Sequence, residues 1–502
     1  MTAAGNVVNR PSMALRRASR SRSFAGIISL LAFVAFVVDL VWLIMAGEFF
    51  LLQLPILLGT LFILMFFGLG YILNPPAWTG AFFMALLYFA QDFTLRQGLV
   101  GGGGVDLQSI VKGGIAALLM SYGLFNGFKR CGHHVVLMLF LAYALFAAGS
   151  ASYSSARALG IGSGIALLGI AFATARAATL TQKDLSQYWD ALYITAVVVC
   201  LTSFALLATV PLMARDLADP GAYRMRGITG SANSLGPIMA AGAIMGLGVI
   251  RRQTVAWKKN MHRLFWVAMV AALVLTNSRS SWLGLVLGLS ICAVLARRQS
   301  ILTIVLLLFG ASVGMAVLLL PSLTKEVMTL FVELFSRSGN VQELTSFTGR
   351  SDIWAACWKL IVAKPMLGYG LGSVRIEIPK VFWDSWGNTA ATAHNFVLES
   401  MISVGLVGTS LLLMVVLGTT VGLARMVSQN SVFNDERQGD LALCALRCMM
   451  MLLIHAMVER AFAGMAAPST VLLGVCVATY VFFALQRKVV RDERLARIRR
   501  LS

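Results

Sequence analysis

Stretches of about twenty consecutive apolar residues, each long enough to cross a ~30 Å hydrocarbon core, recur along the whole chain. A backbone in that medium must satisfy its own polar groups, so repeated long runs predict a bundle of transmembrane helices. Composition agrees. Of 502 residues, 58% are hydrophobic and 12% charged, against about 25% charged in soluble domains. The expected fold class is an all-α polytopic membrane protein.

Length and loop charge together give about fourteen spans, within a range of about 12–14. Their cores are Phe24–Met45, Phe49–Leu73, Ala77–Phe93, Ile110–Phe125, Val135–Ser150, Leu159–Ala175 and Trp189–Ala208, then Ser234–Ile250, Leu264–Thr276, Trp282–Leu295 and Ile301–Leu320, then Asn395–Leu423, Leu441–Val458 and Ser469–Leu485. The chain thus divides into a basic cytoplasmic tail (1–23), a first helical region (24–210), a second (211–320), a large folded outer loop (321–393), a third helical region (394–485) and a basic cytoplasmic tail (486–502). Four tryptophans in the outer loop, Trp354, Trp358, Trp383 and Trp386, predict folded structure with short amphipathic helices there.

The net charge of +20 raises the question of nucleic acid. The basic residues lie in short loops between spans, however, including Lys129 and Arg130, Arg251 and Arg252, and Arg425 and Arg437. That is the positive-inside pattern, which reports orientation and excludes the nucleic-acid reading. It leaves both termini in the cytoplasm. The arginines before Phe24 precede a full-length span, so an uncleaved anchor is expected. The seven cysteines form no CxxC pair, and Gly101–Gly104 lacks the GK[ST] of a phosphate loop. No metal or cofactor is expected.

Four polar clusters then fall on the outer side: "RMRGITGSANSLG" (Arg224 to Gly236), "TNSRSSWLG" (Thr276 to Gly284), "TGRSDIW" (Thr348 to Trp354) and "TAHNFVLESMISVGLVG" (Thr392 to Gly408). Singly, each has a plain explanation. An arginine at a helix end is usually a snorkelling anchor, and Asn233 is a candidate helix cap. Together, on the face where the positive-inside rule disfavours arginine, they mark a site.

In this order the clusters resemble the superfamily of O-antigen ligases and O-antigen or exopolysaccharide polymerases, over roughly Arg226 to Gly408. The resemblance implies a GT-C-type membrane glycosyltransferase of the bacterial inner membrane with a periplasmic active site. It implies an undecaprenyl-pyrophosphate-linked glycan as donor and a second glycan or the lipid A core as acceptor. Further partners are membrane lipids and polysaccharide assembly and export proteins. By motif, Arg279, Arg350 and His394 take the catalytic positions. Arg226, Asn233, Asn395 and Glu399 are expected to bind substrate.

The chemistry fits those residue types. Arginine is a planar, permanently charged fork for phosphate, and fixed cations stabilise a diphosphate as it departs. Imidazole titrates nearest neutrality and serves as base for the attacking hydroxyl, or else positions it. Neighbouring arginines are expected to keep His394 neutral. Glu399, about 140° around a helix from His394, is placed to hold Asn395. "IHAMVERAF" adds His455, Glu459 and Arg460 at a span end, read either as an interhelical ion pair or as part of the site. Polymerase is favoured over ligase by the long N-terminal half. A flippase for lipid-linked sugar is the reading from another class.

Overall fold

The computed structural model describes residues 78–93, 107–127, 134–216, 223–296, 350–383, 390–429, 433 and 436–501. Thirteen main helices lie among them: α1 Thr79–Asp92, α2 Leu107–Gly127, α3 Val135–Ser150, α4 Arg157–Ala177, α5 Gln182–Thr209, α6 Ala232–Arg252, α7 Ala256–Thr276, α8 Arg279–Leu295, α9 Arg350–Ala363, α10 Val374–Val381, α11 Phe396–Ser428, α12 Glu436–Ala456 and α13 Pro468–Leu501. Among the described residues no strand forms, and two isolated bridges pair Phe93 with Thr229 and Arg215 with Met225. The protein is an all-α polytopic membrane protein.

Seven of these helices are long and apolar enough to cross a membrane. Eleven of the spans read from sequence coincide with a helix; Phe24–Met45, Phe49–Leu73 and Ile301–Leu320 lie outside the described residues. The site and all that surrounds it belong to one compact unit, Pro75–Val105 with Lys112–Ser502.

Local chemistry sets the helix ends that matter. Ser231 caps α6, its hydroxyl accepting from Ser234 N at 3.2 Å, and Arg251 and Arg252 close the last turn, where cations suit the helix dipole. Pro237 cannot donate to the Asn233 carbonyl, which relaxes the first turns of α6. Asn277 ends α7 with a left-handed φ of 48°, which turns the chain straight into α8. Asn395 caps α11, its Oδ1 accepting from Val397 N (3.0 Å) and Leu398 N (3.2 Å).

Within α11 the helix breaks at Gly405 (φ 63°, ψ −169°), a conformation only glycine adopts freely. The freed backbone is not left bare. Tyr369 N and Gly370 N donate to the Ile402 and Ser403 carbonyls, both at 2.8 Å, and Leu406 N donates to Pro365 O at 2.8 Å. The Pro365–Gly370 stretch therefore supplies the partners that a broken helix needs in an apolar medium. A Cβ on Gly405 would stand 2.2 Å from the Met366 carbonyl oxygen.

The described part of the large loop is folded, as its tryptophans predict. Its helices α9 and α10 pack on α11 through Ile353, Cys357, Leu360, Val374 and Ile378, which enclose Ala393 and Ile402. This cluster fixes the chain on which His394 sits.

Candidate active site

Glu459 is the hub. It lies just past the end of α12 and is 7% exposed. Its Oε1 accepts from Asn233 Nδ2 at 2.7 Å and from Arg350 Nη2 at 2.8 Å, and its Oε2 pairs with His394 Nδ1 at 3.0 Å. Burial by itself raises a carboxyl group; here His394 and Arg350 outweigh it and hold Glu459 at about 2. An ionised carboxylate only accepts hydrogen bonds, so the network assigns the imidazole proton to Nδ1. In the neutral ring the lone pair is then on Nε2.

His394 is pinned through its neighbours. Its φ of 48° is left-handed, uncommon for a residue with a side chain. On one side, Ala393 N donates to Glu399 Oε2 at 2.7 Å, and Trp354 Nε1 donates to Ala393 O at 3.0 Å. On the other, Asn395 Nδ2 donates to Met457 O at 2.9 Å while its oxygen caps α11. The three hydrogen bonds over-determine the backbone, which is the condition under which such strain persists. Glu399 is buried behind them. A Cβ on Gly464 (φ 74°) would come within 2.6 Å of its side chain, so glycine is needed there twice over.

A cavity of about 1520 Å³ opens in front of this cluster. Arg224, Arg226, Asn233, His394, Glu459 and Arg460 line it, together with apolar groups such as Ile238, Phe382 and Leu472. Asn233 links two charges, since its Oδ1 accepts from Arg224 and its Nδ2 donates to Glu459. Arg224 also donates to Thr276 O at 3.2 Å, and Arg226 Nε to Met213 O at 2.9 Å. Guanidinium groups are thus fixed before any ligand arrives. Among the described residues no three histidine, cysteine or carboxylate side chains gather as a metal set.

Of the residues expected from sequence, Arg226, Asn233 and His394 meet at the cavity wall, and Arg350 reaches it through Glu459. Asn395 and Glu399 lie behind the wall and hold the backbone either side of His394. Glu399 does not hold the Asn395 side chain, because Ala393 N takes its carboxylate instead. Arg279 is not among the residues described on the wall. It opens α8 beside Ser280 and Ser281, whose hydroxyls hold His455 Nδ1 at 3.0 and 3.3 Å. The ionised group bonded to the His394 ring is a carboxylate, not one of the arginines expected beside it.

Glu459 is the residue that motif reasoning left unassigned. Its signal was an ionisable group at the end of an apolar run, with His455 one turn before it. One carboxylate makes both the ion pair with Arg350 and the contact with His394.

Residues 264–413 match the family model described as O-antigen ligase. That segment takes in Arg279, Arg350, His394, Asn395 and Glu399, begins after Asn233 and ends before Glu459. No curated protein matches the chain. Over residues 264–413, within an all-α membrane fold, the chain is thus similar to the O-antigen ligase family.

Proposed function

We propose that the protein is a glycosyltransferase that takes a glycan from a polyprenyl diphosphate at the periplasmic end of its helix bundle. The observation that carries this reading is the Glu459–His394 pair, which leaves a lone pair on Nε2 beside fixed guanidinium groups. An acceptor hydroxyl attacks the anomeric carbon, its proton passes to His394 Nε2, and the C–O bond to the diphosphate breaks. Charge then grows on the departing diphosphate. Arg224, Arg226 and Arg350 oppose it from positions set before reaction, so they stabilise the transition state more than the ground state.

The periplasmic assignment rests on helix direction. Site residues come from the start of α6, α8 and α11 and from the ends of α7 and α12, while Arg251, Arg252, Arg425 and Arg437 lie at the opposite ends. Apolar cavity groups beside the arginines suit a lipid whose head is a diphosphate. Metal independence follows if guanidinium groups do the work of a divalent ion, and activity in excess chelator tests it.

Polymerisation of lipid-linked repeat units is the favoured version, with ligation to lipid A core as the second. The deciding experiment is a deletion strain. Loss of a polymerase leaves exported single units, loss of a ligase leaves long chains unattached to lipid A, and loss of a flippase traps units inside. In the purified enzyme, His394→Asn keeps a residue that tolerates the left-handed backbone and removes the base. Transfer should fall about 10²–10⁴-fold with the fold intact; near-normal turnover would take His394 out of the mechanism.

A further inference from the structure

Away from the large cavity, the folded loop presents an apolar surface of its own. The helix α9 has three faces. Ile353, Cys357, Leu360 and Ile361 are buried in the cluster around Ile402 of α11, while Asp352, Ala355 and Lys359 line the large cavity. The third face carries Trp358 and Val362, four residues apart and so on one stripe, and Met366 and Leu367 follow past the helix end. All four are more than half exposed. Beside them lies a groove of about 350 Å³, lined by Tyr153 of the α3–α4 connection and by residues 364–368. Tyr153 OH closes one side by donating to Leu367 O at 2.9 Å.

The depth of this surface follows from α11. Leu406 N donates to Pro365 O at 2.8 Å and Val407 N to Met366 O at 3.3 Å, which sets the loop level with the first turn after the Gly405 break. From Leu406 to Leu423 there are about eighteen residues, or about 27 Å of helix, close to the ~30 Å of a hydrocarbon core. Arg425 follows at the far end. Leu406 and Val407 therefore stand at one edge of the apolar layer, and Met366 and Leu367 stand beside them.

That level matches the chemistry of the stripe. Leu406, Leu417 and Val421 of α11 and Leu145 of α3 are exposed apolar groups on membrane spans, the side that meets lipid. The α9 stripe joins this side through the two bonds from α11. Tyr153 and Trp358 are of the types that collect where acyl chains give way to headgroups. Lys364 is exposed at the end of α9, its Nζ 4.5 Å from the centre of the Tyr369 ring, and its stem lets an ammonium sit at phosphate level above the groove.

We propose that Trp358, Val362, Met366 and Leu367, with the groove beside Tyr153, form a docking surface for phospholipid of the leaflet into which the large cavity opens. On this reading α9 is an interfacial helix, with one face on lipid, one on α11 and one on the cavity. The contact does not depend on the transferase reading, and only the choice of leaflet follows the orientation given above.

The test uses the full-length chain with its own cysteines replaced, one copy per nanodisc of phosphatidylcholine and phosphatidylglycerol. Single cysteines at Val362, Met366 and Lys359 carry an environment-sensitive fluorophore. At Val362 and Met366, phospholipid spin-labelled near the glycerol should remove most of the emission and aqueous iodide little. A spin label at the chain end should act less, because the stripe lies at the edge of the apolar layer. Lys359, on the cavity face, should show the opposite preference. A photoreactive amino acid at Val362 in the chain with its native cysteines should give a covalent phospholipid adduct, which guards against a fold disturbed by cysteine replacement.

Strong iodide quenching at Val362 and Met366 with no effect of the lipid label overturns the proposal and marks a water-facing surface open to a protein partner. Quenching by neither agent, with no lipid adduct, also overturns it, because the chain itself then covers the stripe. Both results leave the transferase reading in place, since neither measurement reads glycan transfer.

Discussion

Nδ1 of His394 lies 3.0 Å from Oε2 of Glu459, two residues 65 positions apart in the chain and in different elements. The contact fixes which ring nitrogen carries the proton and aims the ring. It also ties the end of α12 to the start of α11, so the orientation of His394 depends on a residue outside the segment that matches the family.

Glu459→Gln is the sharpest test of that dependence. All three partners of the carboxylate donate hydrogen bonds, and an amide can accept from donors on only one of its two arms. Either His394 or the Asn233–Arg350 pair then faces an N–H. Turnover should fall about 10²–10⁴-fold, with Glu459→Asp recovering part of it. Equal activity in Glu459→Gln, measured by transfer to a fluorescent acceptor, would disconnect this carboxylate from catalysis.

Arg350 and Glu459 should also prove coupled in stability. Their atoms are 2.8 Å apart with side chains 19% and 9% exposed, so removing one leaves the other buried and poorly compensated. Arg350→Met should cost about 3–5 kcal/mol, while Arg350→Met with Glu459→Met costs less than the sum of the two single changes. Thermal unfolding of the four proteins in one detergent completes the cycle, and strict additivity would mean that the pair contributes no mutual stabilisation.

The helices were legible because apolar length and loop charge are direct statements of what a bilayer demands. Even the short Thr79–Asp92 and Arg279–Leu295 were found from their apolar runs. At the cavity, the sequence pointed to residues where a polar group interrupts an apolar pattern, and His394, Arg226 and Asn233 all line it. Three-dimensional convergence was not legible. Asn395 and Glu399 were expected to bind substrate from the motif they share with His394, and in the structure their side chains hold the backbone on either side of it. Arg375 sits on a short loop helix, and no motif in the sequence singled it out from the other cations.

Acid should reveal Glu459 through stability. Its carboxyl group is held at about 2 in the folded protein, below its ordinary 4.5. A depressed carboxylate contributes stability above the unfolded value and loses it as pH falls through the folded one. The wild type should therefore weaken as pH drops from about 4.5 towards about 2, and Glu459→Gln should show a flatter profile across that window. Identical profiles, followed by unfolding in detergent at fixed ionic strength, would place the charge of Glu459 elsewhere in the balance.

The side of the membrane on which the cavity opens can be read chemically. Lys359 lines the cavity and Asp352 stands on the same helix, whereas Arg251 pairs with Asp440 at 3.7 Å at the opposite end of the bundle. Cysteines placed singly at Lys359 and at Arg251, in a chain whose own cysteines are replaced, should react differently with a membrane-impermeant maleimide. The first should label in intact cells whose outer membrane has been made permeable, and the second only after the inner membrane is opened. Positive charge at the α6–α7 connection is held inside by the same rule that orients the bundle. Labelling in the reverse order would put the arginines and His394 in the cytosol, where a polyprenyl-linked glycan already carried across the membrane cannot reach them.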